Sequence, residues 1–153
     1  QMDGKALVAA TCTVGVAQYE FCVARLDGEP FGVATCTLNA DANQVVESGT
    51  DAVLVVRYLL GFRGEALSRG ALGAYPSRNR QALENYLASL NLDADGDGQS
   101  LAMTDGLLIL RAMLGLTGDA LTAGAVNTAH PNARNAQQIL TWIESTHGVA
   151  CLP

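Results

Sequence analysis

The sequence predicts a mainly α chain with a β-rich N-terminal segment, an α+β arrangement whose bulk is one loop–helix–connector–helix unit present twice. Three observations predict it. The 153-residue chain matches itself at an offset of 54 residues, which carries Asp51 onto Asp105. After each matched polar loop the apolar residues fall on helical spacing. In residues 1–35 they alternate instead, as on a strand.

Composition sets the outer limits. With 49% hydrophobic residues, the chain has enough apolar side chain for one or two modest cores. A net charge of −6 argues against a nucleic-acid partner, whose phosphates require a cationic surface. The apolar runs 5–17 and 52–60 are too short to cross a bilayer, and the second carries Arg57, so no membrane span is expected. The start at Gln1 suggests a processed, mature N-terminus; the run 5–17 alternatively reads as the remnant of a signal-peptide apolar region.

Residues 1–35 come first. Val8, Ala10, Cys12, Val14 and Val16 alternate with smaller or polar neighbours, as do Tyr19, Phe21 and Val23, and "DGEP" at 27–30 is a turn signal. Two or three strands are too few to be stable alone. The segment therefore packs on its own helical domain as a β-hairpin, or it completes a neighbour's sheet by strand addition. Only Lys5, Glu20 and Arg25 guard its edges with charge, which favours a role as an assembly connector.

Residues 36–153 hold the duplication, in repeats 38–89 and 92–145. "LNADANQVVESGTDAVLVVRYLLGFRGEALSRGA" runs beside "LDADGDGQSLAMTDGLLILRAMLGLTGDALTAGA". Leu54/Leu108, Arg57/Arg111, Leu60/Leu114, Gly61/Gly115 and Leu67/Leu121 are among the identical pairs. After a two-residue insertion, "RNRQALENYLAS" at 78–89 matches "RNAQQILTWIES" at 134–145. A duplicated supersecondary unit of this kind cannot bury its apolar face alone. The first helix of each repeat is short and apolar nearly all round, with Thr104 placed to cap its start and Gly115 to end it in a left-handed conformation. The second helix presents Leu83, Tyr86, Leu87 and Leu90 on one face, and Ile139, Trp142 and Ile143 on the matching one; Tyr86 and Trp142 read as core aromatics.

The loops carry the chemistry. A calcium ion takes six to eight hard oxygens, which a chain supplies from alternate residues as it curls round the ion. Asp93, Asp95 and Asp97 stand at positions 1, 3 and 5, Gly98 permits the turn at 6, and Gln99 offers its carbonyl at 7. The late carboxylate that must close the far side is Asp105, at 13. An acidic turn that merely caps a helix accounts for Thr104 and Asp105, but not for three alternating aspartates before them. In the first loop Asn39, Asp41 and Asn43 take positions 1, 3 and 5, Val45 takes 7, and Asp51 again stands at 13. That loop has two carboxylates against four, and Gln44 where glycine eases the turn, so it is the weaker of two proposed calcium sites.

Two such loops, each followed by a short apolar helix and with no helix entering the first, resemble the dockerin domain. "DADGDG" with "TDGLLILRAMLGLTGDAL" is similar to dockerin-like repeats of bacterial exported proteins. The resemblance covers roughly residues 36–151. It implies calcium-dependent folding, a docking or assembly role outside the cell, and ligand roles for Asp93, Asp95, Asp97, Gln99 and Asp105, with Asn39, Asp41, Asn43, Val45 and Asp51 in the first loop. The loops are one residue longer than the EF-hand pattern, and the repeats are longer than the compact dockerin repeat.

Four cysteines without any CxxC pattern point to an oxidising compartment and not to zinc. Cys36 precedes the first repeat and Cys151 follows the last helix, so a Cys36–Cys151 bridge would staple the domain's ends and leave Cys12 and Cys22 to pair locally. Four cysteines allow three pairings, and position alone favours this one. His130 and His147 lie in connector and tail; no GxSxG, P-loop or HExxH occurs, and no enzymatic activity is expected. Arg57 and Arg111, each alone on an apolar helix, are expected to satisfy carbonyls or pair with a loop carboxylate.

The functional expectation is a calcium-stabilised, non-catalytic structural subunit of an extracellular or cell-surface assembly, a filament or surface structure, self-associating through the N-terminal β segment. Its partner would be further copies of itself. The alternatives are a docking module for a distinct partner protein, or the anchoring tail of a larger exported enzyme.

Overall fold

A computed structural model describes residues 35–43 and 45–153 in full, and of the N-terminal stretch the backbone of 6–13 and 19–26. The chain divides into two units, Gln1–Val33 and Ala34–Pro153. In the first, β1 (Ala6–Thr13) and β2 (Tyr19–Leu26) pair antiparallel, with Ala10 opposite Cys22.

Among the described residues of the second unit, helices are the only regular structure. A π-helical turn, Ser48–Ala52, leads into α1 (Val53–Leu59), followed by α2 (Gly64–Ser68) and α3 (Arg80–Ser89). The second repeat copies this with the turn Ala102–Gly106, then α4 (Leu107–Met113), α5 (Gly118–Thr122) and α6 (Ala136–His147). A 3-10 turn, Val149–Cys151, ends the fold. The expected α+β class is thereby overturned. An α+β domain packs a sheet and helices round one core, whereas the core among the described residues is built from the helical unit alone.

That core explains the duplication. Leu38, Leu54, Val55, Leu67, Leu83 and Leu87 of the first repeat are fully buried, and so are their counterparts Leu92, Leu108, Ile109, Leu121, Ile139 and Ile143. All belong to one contiguous cluster. Each large aliphatic side chain contributes about 1.5–3 kcal/mol on burial, so either repeat alone would forfeit much of its stabilisation. α1 and α4 pack on each other's entering turns across the repeat boundary. Gly106 permits this approach, since a Cβ there would press on Val56 and Leu59 at 3.3 Å.

The helix ends are locally encoded. Both α1 and α4 stop in a Schellman motif. Gly61 and Gly115 are left-handed, at φ 88° and 79°. Their N–H groups bond to Tyr58 and Ala112, and the next N–H groups bond back to Arg57 and Arg111. α3 and α6 start at Asn79 and Asn135, whose side chains accept from Ala82 and Gln138. The Asn135–Gln138 pair completes a capping box.

Three expectations need correction. Thr104 does not cap α4: it lies inside the entering π turn, where its hydroxyl bonds to the Asp105 carboxylate. Tyr86 and Trp142 are half-buried at the core's edge, not within it. Each ring faces a guanidinium instead, Arg78 at 3.4 Å and Arg134 at 5.1 Å from the ring centres. The glycine-rich connector holds a helix of its own, α2 in one repeat and α5 in the other; five residues are too few to display a period.

The ends of the unit are tied together. Cys36 and Cys151 form a disulfide with Cα atoms 4.9 Å apart. Beside it Thr37 donates its N–H to the His147 carbonyl at 2.8 Å, and its hydroxyl meets His147 Nδ1 at 2.8 Å. Tyr86 donates its hydroxyl to the Thr37 carbonyl at 2.6 Å. The Cys12–Cys22 pairing concerns side chains outside the described ones. No helix is long and apolar enough to cross a membrane among the described residues.

Candidate metal centre

The second loop winds on its own carboxylates. Asp93 accepts from the N–H groups of Gly96 and Gly98, Asp95 from Asp97, and Asp97 from Gln99. Each bond folds the chain over a few residues. One oxygen from each of Asp93, Asp95 and Asp97 lies within 4.8 Å of the others. Gly96 and Gly98 are left-handed, at φ 82° and 86°. Asp95 is fully buried, and its second oxygen takes the Asn127 N–H at 3.0 Å.

Asp105, the expected closing ligand, is not among those three and is engaged by the backbone. One of its oxygens accepts from Ala94 and Asp95, at 2.7 and 3.1 Å. The other accepts from the Leu101 N–H at 2.7 Å and the Thr104 hydroxyl at 2.8 Å. The buried carboxylate thus ties the loop's beginning to its end, at the first turn of the helix that follows.

The first loop repeats the wiring. Asp51 accepts from Ala40 at 2.7 Å and from Glu47 at 2.9 Å. Asp41 takes Asn43 and Gly73, and Asn43 takes Val45. The Asn39 amide donates to the Asn43 carbonyl at 2.7 Å, which fixes its orientation. Asn39 Oδ1 is left buried without a hydrogen-bond partner. Val45 and Gln99, expected to offer carbonyls, are exposed residues at the loop edges. Gln44 lies outside the described residues. The strained position observed is Ala42, left-handed at φ 56° where the second repeat has Gly96.

Two arginines missed in the sequence lock these loops in place. Arg78 donates to the carbonyls of Asn39 and Ala40, and Arg134 to those of Asp93 and Ala94, at distances of 2.6–3.2 Å. The signal was present: "RN" heads the second helix in both repeats. Arg57 and Arg111 satisfy carbonyls, those of Leu67 and Arg69 and of Leu121 and Ala123, and so cap α2 and α5. They do not reach the loop carboxylates.

Among the described residues, three side chains titrate away from their ordinary range. Burial pushes the Asp51 carboxyl upward, against the N–H bonds from Glu47 and Ala40, while the nearby Asp41 charge adds to the rise. Asp97 is lowered, chiefly by the Asn127 side chain and then by the Gln99 N–H. Burial pushes His147 down, opposed in part by the Asn91 backbone.

No family model, curated protein or solved structure matches this chain. The site must therefore be read from its own chemistry. Three convergent carboxylates without nitrogen or sulfur donors suit a hard cation such as calcium or magnesium. The orphaned Asn39 Oδ1 fits the same demand in the first loop. A cation there would be held by Asp93, Asp95 and Asp97, or by Asn39, Asp41 and Asn43. It would neutralise the buried charge and brace the loop.

Proposed function

We propose that this chain is a calcium-stabilised, non-catalytic structural subunit of an extracellular assembly. The observation that carries the reading is the convergence of Asp93, Asp95 and Asp97, whose oxygens lie within 4.8 Å of one another in the loop that precedes the turn into α4. A cation that binds only the folded chain stabilises it in proportion to saturation, by about 2.7 kcal/mol at a hundred-fold excess over Kd. The Cys36–Cys151 bridge suits an oxidising location outside the cell. Together they describe a module built to persist without a cytoplasm to maintain it.

Calcium titration by calorimetry, with thermal unfolding in calcium and in excess chelator, tests the metal. Light scattering and electron microscopy in the same two conditions test assembly, and deletion of residues 1–35 tests the N-terminal segment as the connector. Saturable binding with large regular particles supports the proposal. Monomers in both conditions remove the assembly role, and unchanged melting in chelator removes the metal.

A second reading, a docking module for a distinct partner protein, is favoured by one feature. Leu60 and Leu114 occupy equivalent places at the ends of α1 and α4 and are 51% and 57% exposed, with Phe62 at 45% beside the first. Exposed apolar side chains in matching positions offer a partner two similar handles. Partner capture by a monomeric chain would decide for this reading.

A further inference from the structure

The duplication lets each groove be compared with its counterpart in the other repeat, and one groove differs from its counterpart in charge. Between α2 and the start of α3 lies a cavity of about 470 Å³, lined in part by Glu65, Arg69, Arg78 and Arg80. The equivalent cavity between α5 and the start of α6 measures about 650 Å³, lined in part by Asp119, Ala123, Arg134 and Ala136. Arg78 and Arg134 correspond, and both brace their calcium-type loops, as the fold requires. Arg69 and Arg80 correspond to Ala123 and Ala136. The second groove is therefore built without them.

Their chemistry is cationic. Three arginines and one glutamate leave the first groove with an excess of two positive charges, on a chain whose net charge is −6. Arg78 is fixed by its two carbonyl partners and by the Tyr86 ring 3.4 Å from its guanidinium carbon. Arg69 is oriented by Glu65, which takes Nε and Nη2 and leaves Nη1 unengaged by that carboxylate. That is the sole ion pair among the described residues, so none of their carboxylates pairs with Arg80, the first residue of α3. The helix dipole adds to the positive potential there. Arg69 and Arg80 are exposed, and a planar guanidinium fork matches an oxyanion in geometry as well as charge.

We propose that the groove between α2 and α3 is an oxyanion-binding site in which Arg69 and Arg80 engage a carboxylate, sulfate or phosphate group on a ligand, with Arg78 as their fixed support. The second groove, with Asp119 and a single arginine, does not share this activity. The proposal requires neither a cation in the loops nor assembly, although Arg78 is held by the carbonyls of Asn39 and Ala40 in the first loop.

The test is an NMR titration of the intact chain, reading arginine side-chain resonances, with inorganic sulfate and separately with glucuronate as probes. Saturable shifts at Arg69 and Arg80 are expected, weakening as salt is raised. Sulfate alone, or glucuronate alone, would identify which class of oxyanion the groove prefers. R69A/R80A, which installs the residues the second repeat already tolerates, should weaken binding at least about ten-fold with melting unchanged. The converse A123R/A136R should create a second, similar site and double the stoichiometry. No saturable response to either anion, or full binding by R69A/R80A, overturns the proposal.

Discussion

Replacing Asp105 with alanine separates two roles for that residue. If it acted only through a cation, its loss would matter only when calcium is present. The structure assigns it four donors: the N–H groups of Ala94, Asp95 and Leu101 and the Thr104 hydroxyl. Leu101 and Thr104 reach solvent, the former being 46% exposed, so water replaces the carboxylate for them. Ala94 and Asp95 are fully buried, and their N–H groups would be stranded. At about 1–3 kcal/mol for each stranded donor, plus the loss of charge-assisted bonds, D105A should cost about 3–5 kcal/mol. The equivalent D51A should cost about 1 kcal/mol less, because Asp41 N–H lies 3.5 Å from its acceptor and no threonine hydroxyl joins it. Urea unfolding of both variants in excess chelator, with far-UV dichroism as the readout, measures the metal-free term. A loss under about 1 kcal/mol for D105A in chelator would falsify the clasp, since it would mean that the four bonds contribute nothing net without a cation. A further loss on adding calcium would measure any direct role in coordination.

Three other outcomes are expected. Removing the disulfide by C36S/C151S frees ends separated by 115 residues and should cost about 4–5 kcal/mol on the chain-entropy account, read from denaturation midpoints with and without reductant. A42G relieves a left-handed alanine at φ 56° where the other repeat has glycine, and should raise stability by about 0.5–1 kcal/mol; an unchanged or lower midpoint would show that the turn carries no strain. His147 is buried and its pKa is lowered in the folded state, so the unfolded chain binds the proton more readily. Stability should therefore fall as pH drops below about 6.5 and through the lower folded value, and H147Q should flatten that part of the profile. An unaltered profile in H147Q would assign the pH dependence to other groups.

What was legible in the sequence was whatever repeats or recurs locally. The offset that pairs Asp51 with Asp105, the face formed by Leu83 and Leu87, and the left-handed glycines ending α1 and α4 depend on a few neighbouring residues. Helical period and capping chemistry act over that range. The alternation of Asp93, Asp95 and Asp97 likewise marked the place where carboxylates converge. The N-terminal alternation suggested an α+β domain, but alternation reports a strand and says nothing of which core it joins.

Tertiary structure alone decided the rest. Asp105 reads in sequence as a closing ligand, and only the fold shows Ala94 and Asp95 delivering their N–H groups to it. Arg78 reaches the loop 38 and 39 residues earlier, and His147 meets Thr37 across 110 residues. Such bonds depend on which distant segments the shared core brings together, and residue type at one position cannot encode that. Gly106 shows the same limit, since its missing Cβ matters only because α1 packs against that turn. Local sequence sets the period of an element and the chemistry of its ends, while a long-range contact exists only after the two repeats have buried their faces on each other.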